Sequence, residues 1–506
     1  FVRAFHKTYS SLPSMLILGI LLCMSLIGES QDTYVGDLNF AHQSEIDSFL
    51  IQHPTCTAIE GAITLNNINN DIFNVSGFSN IEYISEDLRL LFQGQYFDLS
   101  GFIALDSIGD SLIMKELDTE QTASNIFQGF SGVQSLGHFV FDDGYLFNEA
   151  NLFPSLISCQ SITFFQFNRY YLEYTNSFNN LSDVNSIAYI NMNSGIYGDY
   201  WYNGGTNPMG LFFSVDSSFN SIHSINTIYF DRGEGVISNS FIALNEAQNI
   251  TIGPIDSYVS RISASTNSFS QVTSISNLVL FIEFISPVTD WYGNGTTFPM
   301  FPSLIQANDI KAAYYNYIEP ENENFNNPLQ SLQSCDYMYL SMWGADCNIT
   351  FPDLDYMHEL YISTGEGAYN VSLPKLHQAN KLTFVFEGLP NSTLTCDSLE
   401  YVGDGGLYLV DVDSLAFLSL DSIAGHLTIG YSNHSDLSFI ENLSFLNSAE
   451  FIGNSNLSAC AIQAVCDKLQ LNPEAITVSY NAPGCNSIEE VQTQCLGSFA
   501  SGNVYY

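Results

Sequence analysis

Apolar residues return along this chain at a fixed interval. In FPDLDYMHELYISTGEGAYNVSLPKLHQANKLTFVF they stand at Phe351, Leu354, Met357, Leu360 and Ile362, and again at Leu373, Leu376, Ala379, Leu382 and Phe384. The interval is about 22 residues, which lies in the range of solenoid repeats. The same offsets recur in FPSLISCQSITF (Phe153, Leu156, Cys159, Ile162, Phe164) and in FPSLIQANDIKA (Phe301, Leu304, Ala307, Ile310, Ala312). Each unit ends in strict alternation, which predicts a strand with Leu360 and Ile362 facing inward and Tyr361 facing solvent. Leu427 and Ile429 flank an outward Thr428 in the same way.

Followed along the chain, this alternation predicts about 17 rungs, from AITL at Ala62 to AITVSY at Ala475. A single rung buries too little to offset the entropy of ordering it, so stability has to come from stacking rung on rung. Strands about 4.8 Å apart would then build a curved rod roughly 80 Å long. Two stretches break the spacing: GIYGDYWYNGGTNPMGLFF, which holds Trp201, and PVTDWYGNGTTFPM, which holds Trp291. Insertions in solenoids gather on one edge and are frequent contact sites for partners.

The two ends differ from the repeats. QSEIDSFLIQHPTC (Gln43 to Cys56) predicts an amphipathic helix with Ser44 as its N-cap, covering the first rung. At the other end, Ser458 is expected to cap a helix over Ala459 to Leu471, followed by a strand over Ile476 to Tyr480 and a short helix over Ser487 to Gln494. Cys460, Cys466, Cys485 and Cys495 crowd into this segment, and four cysteines allow three pairings. Their spacing lacks the close pairs of zinc ligands, so a disulfide-closed cap is expected. Of the other cysteines, Cys159 falls on an inward position, Cys335 and Cys347 flank one strand and are candidates for a bridge, Cys56 belongs with the N-terminal cap, and Cys396 has no assigned role.

Arg3 and Lys7 precede an apolar run from Met15 to Ile27 and then Gly28, Glu29 and Ser30, the pattern of a secretory signal cleaved after Ser30. That run is too short to cross a bilayer core of about 30 Å, and no later stretch is long enough either. The expected division is a signal peptide at 1–30, an N-terminal cap at 31–56, the solenoid at 57–456, a Cys-rich cap at 457–496 and, at 497–506, the first strand of a further β-sandwich module. The opening on Phe1 and the strand-like GSFASGNVYY suggest a chain that continues at both ends.

Composition narrows the partners. Hydrophobic residues make up 46% of the chain and charged ones 13%, which supports an extensive core. The formal net charge of -42 repels phosphate backbones and anionic headgroups, so nucleic acid and anionic membrane surfaces are excluded as expected partners.

Catalytic signatures are weak. GFSG at Gly129 lacks the second spacer of a nucleophile elbow, and there is no HExxH helix and no loop ending in GK[ST]. His138 and His426 start strands and read as ordinary edge residues. Asp142 with Asp143, and Asp404 with Asp411 and Asp413, are the acidic clusters to which calcium, the only cofactor considered, or a hydrolytic carboxylate pair would be assigned. Asn249-Ile-Thr and Asn391-Ser-Thr are sequons that matter only in a glycosylating host. Outward aromatics are the stronger signal. Phe165, Tyr170, Tyr171 and Tyr174, and likewise Tyr314, Tyr315 and Tyr317, cannot all point inward under strict alternation. With Trp201 and Trp291, the residues Tyr170, Tyr171 and Tyr315 are the candidate ligand contacts.

The cap segment SEIDSFLIQHPTCTAIEGAITL, the FPSL and LTI rungs, and NLSACAIQAVCDKL with NAPGCNSIEEVQTQC resemble the receptor L-domain type of leucine-rich repeat, in the form found in exported proteins of Bacteroidetes type. The likeness covers about Gly36 to Cys495. It implies a predominantly β, right-handed repeat solenoid with a long parallel sheet and a disulfide-containing helical C-terminal cap, secreted or held at the cell surface. It also implies a role in recognition or adhesion, with no catalytic set to carry over. The expectation is therefore a non-enzymatic protein that binds an extracellular protein or glycan, with no integral span in the mature chain. The alternatives are a polysaccharide-degrading β-helical enzyme and a passive surface spacer.

Overall fold

The computed structural model describes residues 32–501, apart from 70, 73, 93–98, 117–125, 144–146, 167–170, 192–211, 232, 254–259, 265–266, 285–300, 317–328, 345–346, 366–368 and 388–391. Its rungs follow from the alternation. Tyr356–Thr364 and Gln378–Phe386 bury the same positions, and they pair in parallel with Leu360 beside Leu382 and Ile362 beside Phe384. Repeated along the chain, this pairing gives a parallel solenoid of about 14 turns with one 21-stranded sheet. Every rung predicted between Ala62 and Ala475 is in the ladder. Two early rungs have split strands, Cys56–Glu60 with Ile63–Asn67 and Tyr83–Ile84 with Leu88–Phe92.

The opposite wall carries two shorter parallel sheets that the periodicity did not reveal. One runs from Phe147–Ala150 to Ser260–Ala264, and the other from Cys347–Thr350 to Ser414–Ala416. Tyr174, expected to be an outward aromatic, belongs to this wall and points inside. It is fully buried and stacks on Phe164 at 5.6 Å and Tyr189 at 6.2 Å. The wall also separates Cys335 from Cys347, so the expected bridge does not form. Cys335 sits between Ala307 and Met357 in the long sheet as a buried free thiol, whereas Cys347 opens the second short sheet.

Down the centre runs a column of phenylalanines, one per coil. Phe78, Phe102, Phe130, Phe153, Phe178, Phe219, Phe241, Phe269 and Phe301 follow one another with centroids 4.9 to 6.1 Å apart. In the first three coils a glycine precedes the ring. Gly101 and Gly129 lie so close to the carbonyls of Val75 and Leu99 in the previous coil that no side chain fits. Further along, the turn changes form. Phe153, Phe178, Phe219, Phe241 and Phe269 all have positive φ, between 46 and 59°. This left-handed backbone costs a bulky residue about 1–3 kcal/mol. Burial of the ring at about 1.5–3 kcal/mol and stacking at about 0.5–1.5 kcal/mol offset that strain.

The residue before four of these rings, Phe178, Phe219, Phe241 and Phe269, completes the turn. Ser177, Ser218, Ser240 and Ser268 are fully buried, and their hydroxyls chain one coil to the next. The backbone N–H of Ser177 donates to Ser218 Oγ at 3.0 Å, that of Ser218 to Ser240 Oγ at 3.1 Å and that of Ser240 to Ser268 Oγ at 3.3 Å. Each hydroxyl in turn donates to a carbonyl, as Ser240 Oγ does to Ser238 at 2.9 Å. Near the C-terminal end asparagine takes over the post: Ser432 N–H donates to Asn454 Oδ1 and Asn454 N–H to Asn481 Oδ1, both at 2.9 Å.

Both ends are capped. Helix α1 (Gln43–Gln52) lays Ile46 and Phe49 over the first rungs. Its cap is His42 rather than Ser44, because the Glu45 carboxylate reaches back to accept the N–H groups of Ala41 at 2.7 Å and His42 at 3.1 Å. Helix α2 (Gln463–Leu471) begins later than predicted, since Ser458 N–H donates to Ser435 O and Ala459 bridges Asp436, which holds that stretch extended. Helix α3 (Ile488–Ser501) runs on through residues 497–501, the start of the segment expected as a strand; residues 502–506 lie outside the described residues. Its first turn is closed by Glu490, which accepts from Gly484 and Asn486, and those bonds hold the carboxyl below the usual range. The cysteine pairing that sequence left open is Cys460 with Cys485 and Cys466 with Cys495.

Replacing Ser240 by Ala leaves the buried N–H of Ser218 without its acceptor. The expected loss is about 1–3 kcal/mol of stability in chemical denaturation, with faster hydrogen exchange concentrated in the neighbouring coils. His434 packs against Phe439 with ring centres 4.7 Å apart and planes tilted by 39°, and burial holds its imidazole below its usual pKa. The unfolded chain therefore binds a proton near pH 6.5 that the folded chain refuses. Stability should fall as pH drops below about 6.5 until the folded value is reached, and His434→Gln should flatten that slope in thermal melts.

Candidate functional site

The outward positions of the long sheet form columns parallel to the solenoid axis, because each strand repeats its neighbour's register. Toward the C-terminal half these columns fill with aromatic rings. In one column Lys311, Tyr339, Tyr361, Thr383 and Tyr408 stand side by side, and in the next Asp309, Tyr337, Glu359 and Lys381 do. Tyr337 and Tyr339 are 48% and 42% exposed, and Tyr361 and Tyr408 are half-buried.

The group is internally ordered. Tyr339 and Tyr361 stack at 4.9 Å with planes only 6° apart. Tyr337 meets His358 edge to face at 5.3 Å. Lys381 Nζ lies 5.9 Å from the centre of the Tyr408 ring, within cation–π range, and His426 flanks the other side at 6.3 Å. The result is a surface of flat apolar faces set among two carboxylates, Asp309 and Glu359, two lysines and ring nitrogens. It offers stacking surface and hydrogen-bonding groups on a rigid support, which suits binding of a ring-bearing ligand or a protein side chain.

None of these tyrosines was among the predicted contacts, although the signal was present. Tyr337, Tyr339, Tyr361 and Tyr408 occupy outward positions of YMYL, ELYI and GLYLV, and Tyr361 was already assigned to solvent by alternation. Of the predicted contacts, Tyr170, Trp201 and Trp291 lie outside the described residues. Tyr171 and Tyr315 fall on the strands Tyr171–Thr175 and Gln306–Asn316, and their side chains are outside the described part of the structure. Tyr314 shares that position, and Tyr317 lies outside the described residues. Phe165 is half-buried on its strand.

The acidic clusters do not converge. Asp142 is paired with Lys115 at 2.7 Å. Asp404 sits in the bulge before Leu407, while Asp411 and Asp413 follow Val410 at the far end of the same strand, where Asp413 accepts from Asn433 at 2.6 Å. Among the described residues, no three His, Cys, Asp or Glu side chains are grouped to hold a metal. His138 and His426 lie within strands as members of polar ladders, with Nδ1 2.7 Å from Ser161 Oγ and 2.8 Å from Ser448 Oγ respectively. Asn249 is likewise a ladder residue, accepting from Asn277 Nδ2 at 2.7 Å, and Asn391 lies outside the described residues. Burial pushes the free thiols of Cys159 and Cys335 up to about 12 and raises that of Cys396 further, so all three stay protonated at neutral pH.

No protein-family model matches this chain, and no curated protein matches it either.

Proposed function

We propose that this chain is a non-enzymatic exported recognition or adhesion protein of the receptor L-domain-like leucine-rich-repeat type, binding a glycan or protein ligand on the outward face of its long sheet. The observation that carries this reading is the ordered tyrosine group of Tyr337, Tyr339, Tyr361 and Tyr408. Cross-strand aromatic pairs also stabilise a sheet, but rings left this exposed present large apolar faces to solvent, and such faces mark contact surfaces. The two disulfides of the cap and the signal-like N-terminus support an address outside the cell. Among the described residues, no helix is long and apolar enough to cross a membrane.

A combined glycan and extracellular-protein array, run beside a reducing-sugar release assay on the same glycans, tests this proposal. The expected outcome is saturable retention without release, with Tyr361→Ala and Tyr408→Ala each weakening retention by about 2-fold to 10-fold. Sugar release that disappears in Asp411→Asn would assign hydrolysis and overturn it. The absence of any saturable ligand would make the chain a spacer.

A further inference from the structure

A second aromatic column lies apart from the tyrosine group, at the first position of each long-sheet strand. There Tyr356, Gln378, Tyr401, Ser422 and Phe445 stand in register. The aromatic residues occupy alternate rungs, and all three are exposed, at 42%, 41% and 51%. With strands about 4.8 Å apart, successive rings are separated by about 10 Å, and the track from Tyr356 to Phe445 measures about 19 Å.

The residue just before each of these positions is polar and exposed: Asp355, His377, Glu400, Asp421 and Ser444. Their backbones are tied into a ladder in which each N–H donates to the carbonyl of the previous coil, at 3.0, 2.9, 3.0 and 2.7 Å. The polar line therefore keeps a fixed offset from the ring line. His377 Nδ1 and Asp355 Oδ1 lie 2.6 Å apart, while the Glu400 and Asp421 side chains stand in solvent.

We propose that Tyr356, Tyr401 and Phe445 form a stacking track for a linear, uncharged, β-linked polysaccharide lying along the solenoid axis. In such a chain each sugar is turned over relative to the last, so the same apolar face recurs at every second unit, a repeat close to the ring spacing here. The rings receive those faces. Glu400 and Asp421 accept hydroxyls along one edge, and Gln378 and Ser422 meet the unit between rings. A protein partner fits less well, because polar residues interrupt the apolar surface at every second rung and no contiguous hydrophobic centre forms. An anionic glycan is disfavoured by the net charge of -42. This inference rests on the recognition reading above and adds to it a second contact column on the same sheet, with its own ligand chemistry.

The test is retention of the full chain on insoluble cellulose, chitin and linear mannan, with elution by soluble oligosaccharides of increasing length. Retention by at least one of these should be insensitive to salt, since no charge pairing is involved. It should strengthen with oligosaccharide length until all three rings are spanned. Each of Tyr356→Ala, Tyr401→Ala and Phe445→Ala should weaken it about 2-fold to 10-fold, and the triple variant should abolish it. Tyr401→Phe keeps the ring and should bind normally, and so should Tyr480→Ala, which removes an exposed aromatic from the cap. Failure of the unaltered chain to bind any of the three polymers, or normal binding by a folded triple variant, overturns the proposal. If a linear β-linked glycan is lost in Tyr361→Ala but kept in the triple variant, this track is wrong while the broader recognition reading stands.

Discussion

Everything in this molecule depends on one constraint: each coil must place its side chains directly above the same positions of the coil before. Parallel strands leave each residue beside its own counterpart, so a favourable choice is repeated and an unfavourable one is repeated too. Phenylalanine in the turn shows both sides. Its left-handed backbone is strained in isolation, yet ring on ring the strain is offset, and the buried serine beside it supplies the hydrogen bonds that the turning backbone lacks. The same position passes from glycine-led turns to serine and then to asparagine along the chain, so the post is set by geometry and several residue types can fill it.

The constraint also explains how so acidic a chain tolerates its own charge. Carboxylates in register would repel at every coil, and at several positions the structure sets a cross-coil partner beside the acid. Lys375 meets Asp353 at 2.6 Å, and Asn433 donates to Asp413 at the same distance. These exposed contacts are weak individually. Their value lies in preventing unfavourable stacking, and they leave Lys311 and Lys381, two of the few cations of the long sheet, beside the tyrosines.

For function, the consequence is a division of labour between the two sides of each strand. Inward residues have to fill a fixed cross-section, so they vary little in kind. Outward residues are free, and along most of the sheet they are small and polar. The concentration of aromatic rings between Tyr337 and Phe445 departs from that background on a surface where burial does not require it, and a rigid ladder holds each ring without further ordering cost on binding.

Much of this was legible in the sequence. The interval of the repeats, the inward set headed by Leu360 and Leu382, the outward place of Tyr361 and the distinct C-terminal cap all follow from alternation and composition, because those signals pass between residues close in the chain. The short sheets of the opposite wall, the inward turn of Tyr174, the separation of Cys335 from Cys347 and the pairing of Cys460 with Cys485 were not legible. Nor was the alternate-rung track of Tyr356, Tyr401 and Phe445. Each is a relation between residues a whole coil or more apart, and coil length varies, so only the folded register decides which side chains become neighbours. Sequence by itself determined what faces in and what faces out along the long sheet. Tertiary structure decided what lies beside what, because hydrogen-bonded stacking, and not local periodicity, sets the alignment of one coil on the next.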